Sequence, residues 1–131
     1  MRILSLTALV VSSVLLAPTA FADDAGAQLF GDYCAACHGV SGKGDGDMAD
    51  VITIPPPNLT LLSKKNDGIF PMLRVIHTIE GRTGLRSHAS VMPLFGKTFS
   101  EDTGDIGYAE VLVTRGRVLS LAMYLESIQE K

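Results

Sequence analysis

Two cysteines three positions apart, with a histidine directly after them, constrain this chain more than any other feature: Cys34-Ala35-Ala36-Cys37-His38. Thiols at that spacing lie on one helical turn, where they reach two neighbouring vinyl groups of a haem and form thioether bonds. The histidine that follows lies under the iron as its proximal ligand. Ala35 and Ala36 are small enough to let a flat macrocycle approach the backbone. A chain with this signature needs helices that wall an apolar cofactor.

Other uses of these five residues fit less well. A thioredoxin-like cysteine pair belongs near a βαβ pattern, and no strand pattern of useful length occurs. A structural zinc site takes four ligands, whereas the chain has only 2 cysteines. A disulfide is chemically allowed outside the cytoplasm, but it gives His38 no role.

Residues 1–22 read as a cleaved secretory signal peptide. Arg2 supplies the positive start, Ile3 to Ala17 is mostly apolar, and Ala20-Phe21-Ala22 has the small-x-small form of a cleavage site. The apolar run is shorter than the about 20 residues of a spanning helix and ends at Pro18. Cleavage leaves residues 23–131 as one domain, expected in the periplasm with no membrane span. Of the 11 basic residues the leader removes one, against 14 acidic residues, for a mature charge of −4. That balance argues against nucleic acid, which asks for a basic patch, and favours a partner with a positive docking surface.

The rest of the chain reads as an all-α domain of three to five helices. Asp23 or Asp24 caps a helix whose apolar positions Gly26, Leu29, Phe30, Tyr33 and Cys37 share one face, and Gly39 stops it. From Gly39 to Pro57, glycine, aspartate and proline predict a surface loop. Within it, Gly42-Lys43-Gly44-Asp45-Gly46 lacks the P-loop and EF-hand patterns and reads as a solvated turn. A second helix is expected from near Ile69 to Gly81, with Pro71 in its first turn, burying Ile69, Met72, Leu73, Ile76 and Ile79. Residues Gly84 to Phe99 read as irregular, and residues 100–113 fit either a loop or the opening of the last helix. That helix is expected over Thr114 to Gln129, with Val118, Leu121, Ala122, Leu125 and Ile128 inward and Arg115, Arg117, Ser120 and Glu126 outward. So few short helices make a modest core, and a macrocycle at the centre supplies the missing buried surface.

The iron's sixth ligand must come from far along the chain. Met72 and Met123 fall within helical patterns, where methionine usually fills core. Met48 follows His38 too closely. Met92 stands in Ser90-Val91-Met92-Pro93, where proline stiffens the backbone just beyond the sulfur. Met92 is therefore the preferred distal ligand, with His88 in the same stretch as its alternative; His77 reads as an ordinary helix residue.

These residues resemble the class I cytochromes c, most specifically at Cys34-Ala35-Ala36-Cys37-His38 and Met92-Pro93. Gly26 and Phe30 match the family's N-terminal helix positions, and Leu121 and Tyr124 match their partners on the C-terminal helix. The resemblance implies a small bundle wrapped around one covalently bound haem c, with those two helices crossed. It implies that the carbonyl of Pro57, in Pro57-Asn58-Leu59 at the end of the three prolines that begin at Pro55, accepts a hydrogen bond from the proximal histidine. The lysine-rich face and buried tryptophan of the mitochondrial members are absent, which points to a bacterial periplasmic relative. Arg82 and Arg86 are candidate donors to the haem propionates.

On this reading the chain is not an enzyme. It is a one-electron carrier between redox proteins, acting as a monomer or as the electron-transfer subunit of an oxidoreductase complex. The alternative is a haem enzyme or gas-binding cytochrome with an open or displaceable sixth site. In the four-helix gas-binding cytochromes the attachment site lies near the C-terminus, whereas Cys34 stands early in this chain.

Overall fold

The computed structural model describes residues 21–82, 92–102 and 107–131. The first helix, α1, spans Phe21–Tyr33, and a single turn, α2, spans Ala35–His38. The break at Cys34 is local. Cys34 N–H still donates to Phe30 O at 2.9 Å, and His38 N–H donates to Cys34 O at 2.9 Å. The expected helix is thus present but starts earlier, at Phe21, and is interrupted where the attachment motif begins. Gly39, in the left-handed half of backbone space at φ 76°, ends it.

Three 3-10 turns follow, at Ala49–Val51, Leu59–Leu61 and Lys64–Asn66, then α3 at Met72–Glu80, α4 at Phe95–Glu101 and α5 at Tyr108–Ser127. Among the described residues there is no strand, and the chain is all-α. Helix α3 starts after Pro71 and ends at Gly81. There Arg82 N–H donates to His77 O at 2.7 Å and Gly81 N–H to Thr78 O at 3.2 Å, the paired bonds of a Schellman cap. Its buried face is Val75 and Ile79, with Met72 and Ile76 packed beside them. Ile69 and Leu73, expected inside, are 70% and 65% exposed. Ile69 precedes the helix, and Leu73 stands about 100° around the axis from Met72, off the i, i+3, i+4, i+7 face.

Helix α4 occupies part of the stretch expected to be irregular. Pro93 and Gly96 suggested a loop, but Pro93 lies before the helix and Gly96 lies against α3. A Cβ on Gly96 would stand 2.9 Å from Glu80 O. Phe95 and Phe99, one turn apart, enter the core with ring centroids 5.7 Å apart. Tyr33 of α1 meets both edge-on, at 6.2 Å and 5.1 Å.

Helix α5 is longer than expected because Val111, Leu112 and Val113 belong to its first turns. Val118, Leu121, Ala122 and Leu125 are buried as predicted. Arg117 is not a solvated residue: it donates to Phe99 O at 3.3 Å and lies 5.8 Å from the centroid of the Phe99 ring. Ser120 is also covered, because α1 crosses α5 there. A Cβ on Gly26 would sit 2.2 Å from Ser120 O and 2.7 Å from Tyr124 Cβ. Phe30 packs on Tyr124 with centroids 5.3 Å apart. The N- and C-terminal helices are therefore crossed and in backbone contact, with Ser120 rather than Leu121 beneath the glycine.

Candidate functional site

The site is built around α2. Its walls are a hollow of about 450 Å³ lined almost wholly by apolar side chains, within the about 300–1,000 Å³ common for small-molecule and cofactor sites. Cys34, Cys37 and His38 come from the attachment turn, Pro55 to Pro57 with Leu59 and Leu62 from the loop and turn beyond it. Helix α3 adds Val75, Thr78 and Ile79, and α5 adds Leu125; Met92, Pro93 and Phe95 come from the segment entering α4. Several of these, including Phe30, Val75, Ile79 and Leu125, also belong to the core. The hollow reaches the centre of the molecule, and a buried apolar surface of that kind suits an apolar occupant.

His38 is buried, 9% exposed, and its Nδ1 lies 3.4 Å from Pro57 O, a long hydrogen bond. Burial holds its pKa below the ordinary histidine value, and the Pro57 carbonyl pulls the other way. A neutral imidazole whose Nδ1–H faces the carbonyl leaves Nε2 as the free lone pair, the form that binds a metal. Burial pushes the Cys34 thiol up to about 11, with Cys37 adding to the shift. Disulfide oxidoreductases lower the pKa of the attacking thiol instead. Cys34 and Cys37 are both free thiols. Two sulfurs for vinyl groups and one imidazole nitrogen for iron, set beside an apolar hollow, are the donor set that haem c requires, and the residues fit it.

The glycine run after the motif is not a solvated turn. Gly44 N–H donates to His38 O at 2.8 Å, Gly46 N–H to Cys37 O at 3.3 Å, and Met48 N–H to Ala36 O at 2.9 Å. These amides satisfy the carbonyls at the end of α2 that a helix leaves unpaired. On its other side Gly44, at φ +85°, faces the proline segment; a Cβ there would lie 2.4 Å from Pro56 O. The loop is packed between the attachment turn and the prolines. The alternation of Gly42, Gly44 and Gly46 was the signal for it in the sequence.

The structure brings together Cys34, Cys37, His38, Pro57 and Met92 on one cavity. Arg82 stands elsewhere. It pairs with Glu80 at 2.9 Å and lines a separate hollow of about 310 Å³ with Glu110, Thr114 and Arg115. Arg86 and His88 lie outside the described residues. Met48 is 46% exposed and is not part of the cavity wall. Sequence reasoning missed Asn58 and Thr60, which shape the turn after Pro57. Asn58 Oδ1 accepts from Thr60 N–H at 2.8 Å, and Thr60 is buried.

Comparison with known proteins agrees with this geometry. Neither the curated proteins nor the solved structures yield a match. The model of the Cytochrome c family matches residues 24–101, a span that takes in the attachment turn, the proline segment, α3, Met92 and α4. More than half of the chain is matched, and the matched residues form most of the wall of a cavity suited to haem c, with Leu125 completing it. The chain therefore belongs to the cytochrome c family, electron-transfer proteins that hold a haem c covalently.

Proposed function

We propose that this haem-c electron carrier works in the periplasm, with His38 and Met92 as the axial ligands of the iron. The observation that carries the reading is the convergence of Cys34, Cys37, His38 and Met92 on one apolar hollow. Removal of residues 1–22 on export is part of this reading and rests on Arg2, the apolar run that follows and Ala20-Phe21-Ala22. Among the described residues no helix is long and apolar enough to cross a membrane.

Bound in this hollow, haem c supplies one-electron chemistry between Fe(III) and Fe(II). The chain's own residues set the terms. Cys34 and Cys37 tether the macrocycle, so it is not exchanged between encounters. Pro57 O fixes the His38 ring and strengthens it as a donor. The Met92 thioether is a soft ligand that favours Fe(II) and raises the potential relative to a second imidazole. Val75, Ile79, Phe95 and Leu125 keep water from the centre, which limits reorganisation when charge moves. Held by both His38 and Met92, the iron would have no open position for a substrate. Its encounters with donor and acceptor proteins are small and short-lived, as transient redox contacts are.

Absorption spectra of the protein matured in a periplasm, taken oxidised, reduced, and reduced under carbon monoxide, test this. Sharp low-spin bands that ignore carbon monoxide are expected. A high-spin spectrum, or rapid carbon monoxide binding, would move the protein to the class of haem enzymes and gas binders.

A further inference from the structure

The residues that follow α5 reach back across the molecule to the turn after Pro57. Gln129 spans it on both sides: its Nε2 donates to Leu59 O at 2.8 Å, and its Oε1 accepts from Ser63 N–H at 2.9 Å. Glu130 adds a second attachment. Its backbone N–H donates to Thr60 O at 2.9 Å, and its Oε1 lies 2.9 Å from Thr60 Oγ1. That hydroxyl also lies 2.7 Å from Asn58 Oδ1, so its single proton is shared between two acceptors. Leu59 is held through both its backbone groups, since its N–H donates to Gly42 O at 2.7 Å.

Apart from the one to Ser63, these bonds fall on Leu59 and Thr60 and, through the Thr60 hydroxyl, on Asn58, the three residues directly after the carbonyl that faces His38 Nδ1. The 3.4 Å contact between that carbonyl and the ring is long enough that a small displacement of Pro57 decides whether it acts as a hydrogen bond. We infer that Gln129 and Glu130 are positioning residues for the haem iron. By pinning the Leu59–Leu61 turn they hold Pro57 O against His38, and so tune the donor strength of the proximal ligand and the reduction potential. This rests on haem attachment with His38 on the iron, but not on Met92.

The direction follows from the chemistry of the ligand. A histidine that keeps its Nδ1–H bond has more imidazolate character and stabilises Fe(III). Loosening Pro57 weakens that character and favours Fe(II). Two variants of the haem-loaded protein remove the clamp: Gln129→Ala with Glu130→Ala, and deletion of residues 129–131. Both changes lie beyond the end of α5 at Ser127, but Gln129 Nε2 also donates to Leu125 O at 2.6 Å, so each variant also frees a carbonyl in the last turn of that helix and its stability is measured beside its potential. Glu130→Gln, which keeps an acceptor for Thr60, is the conservative control.

Redox titration should show the reduced-to-oxidised ratio at a fixed ambient potential rising about threefold in both clamp variants, or about 30 mV at 59 mV per decade for one electron. The His38 Nδ1–H resonance should move or exchange faster, while Glu130→Gln stays near wild type. Loss of thermal stability with an unchanged potential and an unchanged Nδ1–H resonance would overturn the inference, leaving the clamp a fastening of the chain end. A high-spin wild-type spectrum would instead count against the carrier reading, and the comparison of potentials would stand apart from it.

Discussion

Gly26 of α1 lies against Ser120 of α5 so closely that a single added carbon would stand 2.2 Å from the Ser120 carbonyl oxygen. Helices carrying side chains normally keep their axes about 8–10 Å apart, and only a residue without a side chain lets two backbones meet. Gly26→Ala forces backbone against backbone. It should cost about 1–3 kcal/mol, in the range of overpacked cores, read as a lower denaturant midpoint of the haem-loaded protein.

Phe99 and Leu73 make a matched pair of opposite expectation. Phe99 is fully buried, and Leu73 is 65% exposed. Phe99→Ala should destabilise the protein by about 3–5 kcal/mol through the cavity it leaves among Tyr33, Phe95 and α5. Leu73→Ala should stay within about 0.5 kcal/mol of wild type. Urea unfolding of both variants checks the contrast.

Much of this was legible in the sequence, for identifiable reasons. The attachment turn is local, so its spacing alone predicts its geometry. The buried face of α5 follows from 3.6-residue periodicity at Val118, Leu121, Ala122 and Leu125. Helix α4 was hidden because Pro93 and Gly96 are loop residues by habit, yet here one precedes the helix and the other faces Glu80 O. Arg117 was hidden because a charged side chain on a helix usually points to water; its guanidinium instead covers an aromatic ring from another element. The bonds from Gln129 and Glu130 to residues 59–63 span about half the chain, and no local pattern encodes them.

Tyr33 adds a dependence on alkaline pH. Its hydroxyl donates to Asp102 Oδ2 at 2.5 Å, and this bond, with lesser contributions from desolvation and the Asp102 charge, holds the phenol above its ordinary pKa; Arg117 acts in the opposite direction. The unfolded phenol ionises first, so the stabilisation is fully present below about pH 10 and is lost as pH rises through the folded value. Tyr33→Phe removes the bond and this part of the slope. The gap in denaturant midpoint between wild type and Tyr33→Phe should be larger at about pH 8 than at about pH 11.

Gly44 lies between the attachment turn and the proline segment. Its φ of +85° and the 2.4 Å that would separate an added Cβ from Pro56 O make Gly44→Ala strained by about 1–3 kcal/mol. Relief comes by pushing the proline segment away, which carries Pro57 O from His38. The variant should therefore lose stability and also raise the reduction potential, whereas Phe99→Ala should do mainly the first. Paired unfolding and redox titrations separate the two effects.

The central claim is that the Met92 sulfur closes the sixth position of the iron. Carbon-13 labelling of the methionine methyls, followed by NMR of the reduced protein, tests it most directly. A ligand methyl lies over the macrocycle and is displaced far upfield by its ring current. The account predicts one such resonance, absent in Met92→Leu and retained in Met48→Leu and Met72→Leu. No displaced methyl in the wild type, or one that survives Met92→Leu, would contradict it.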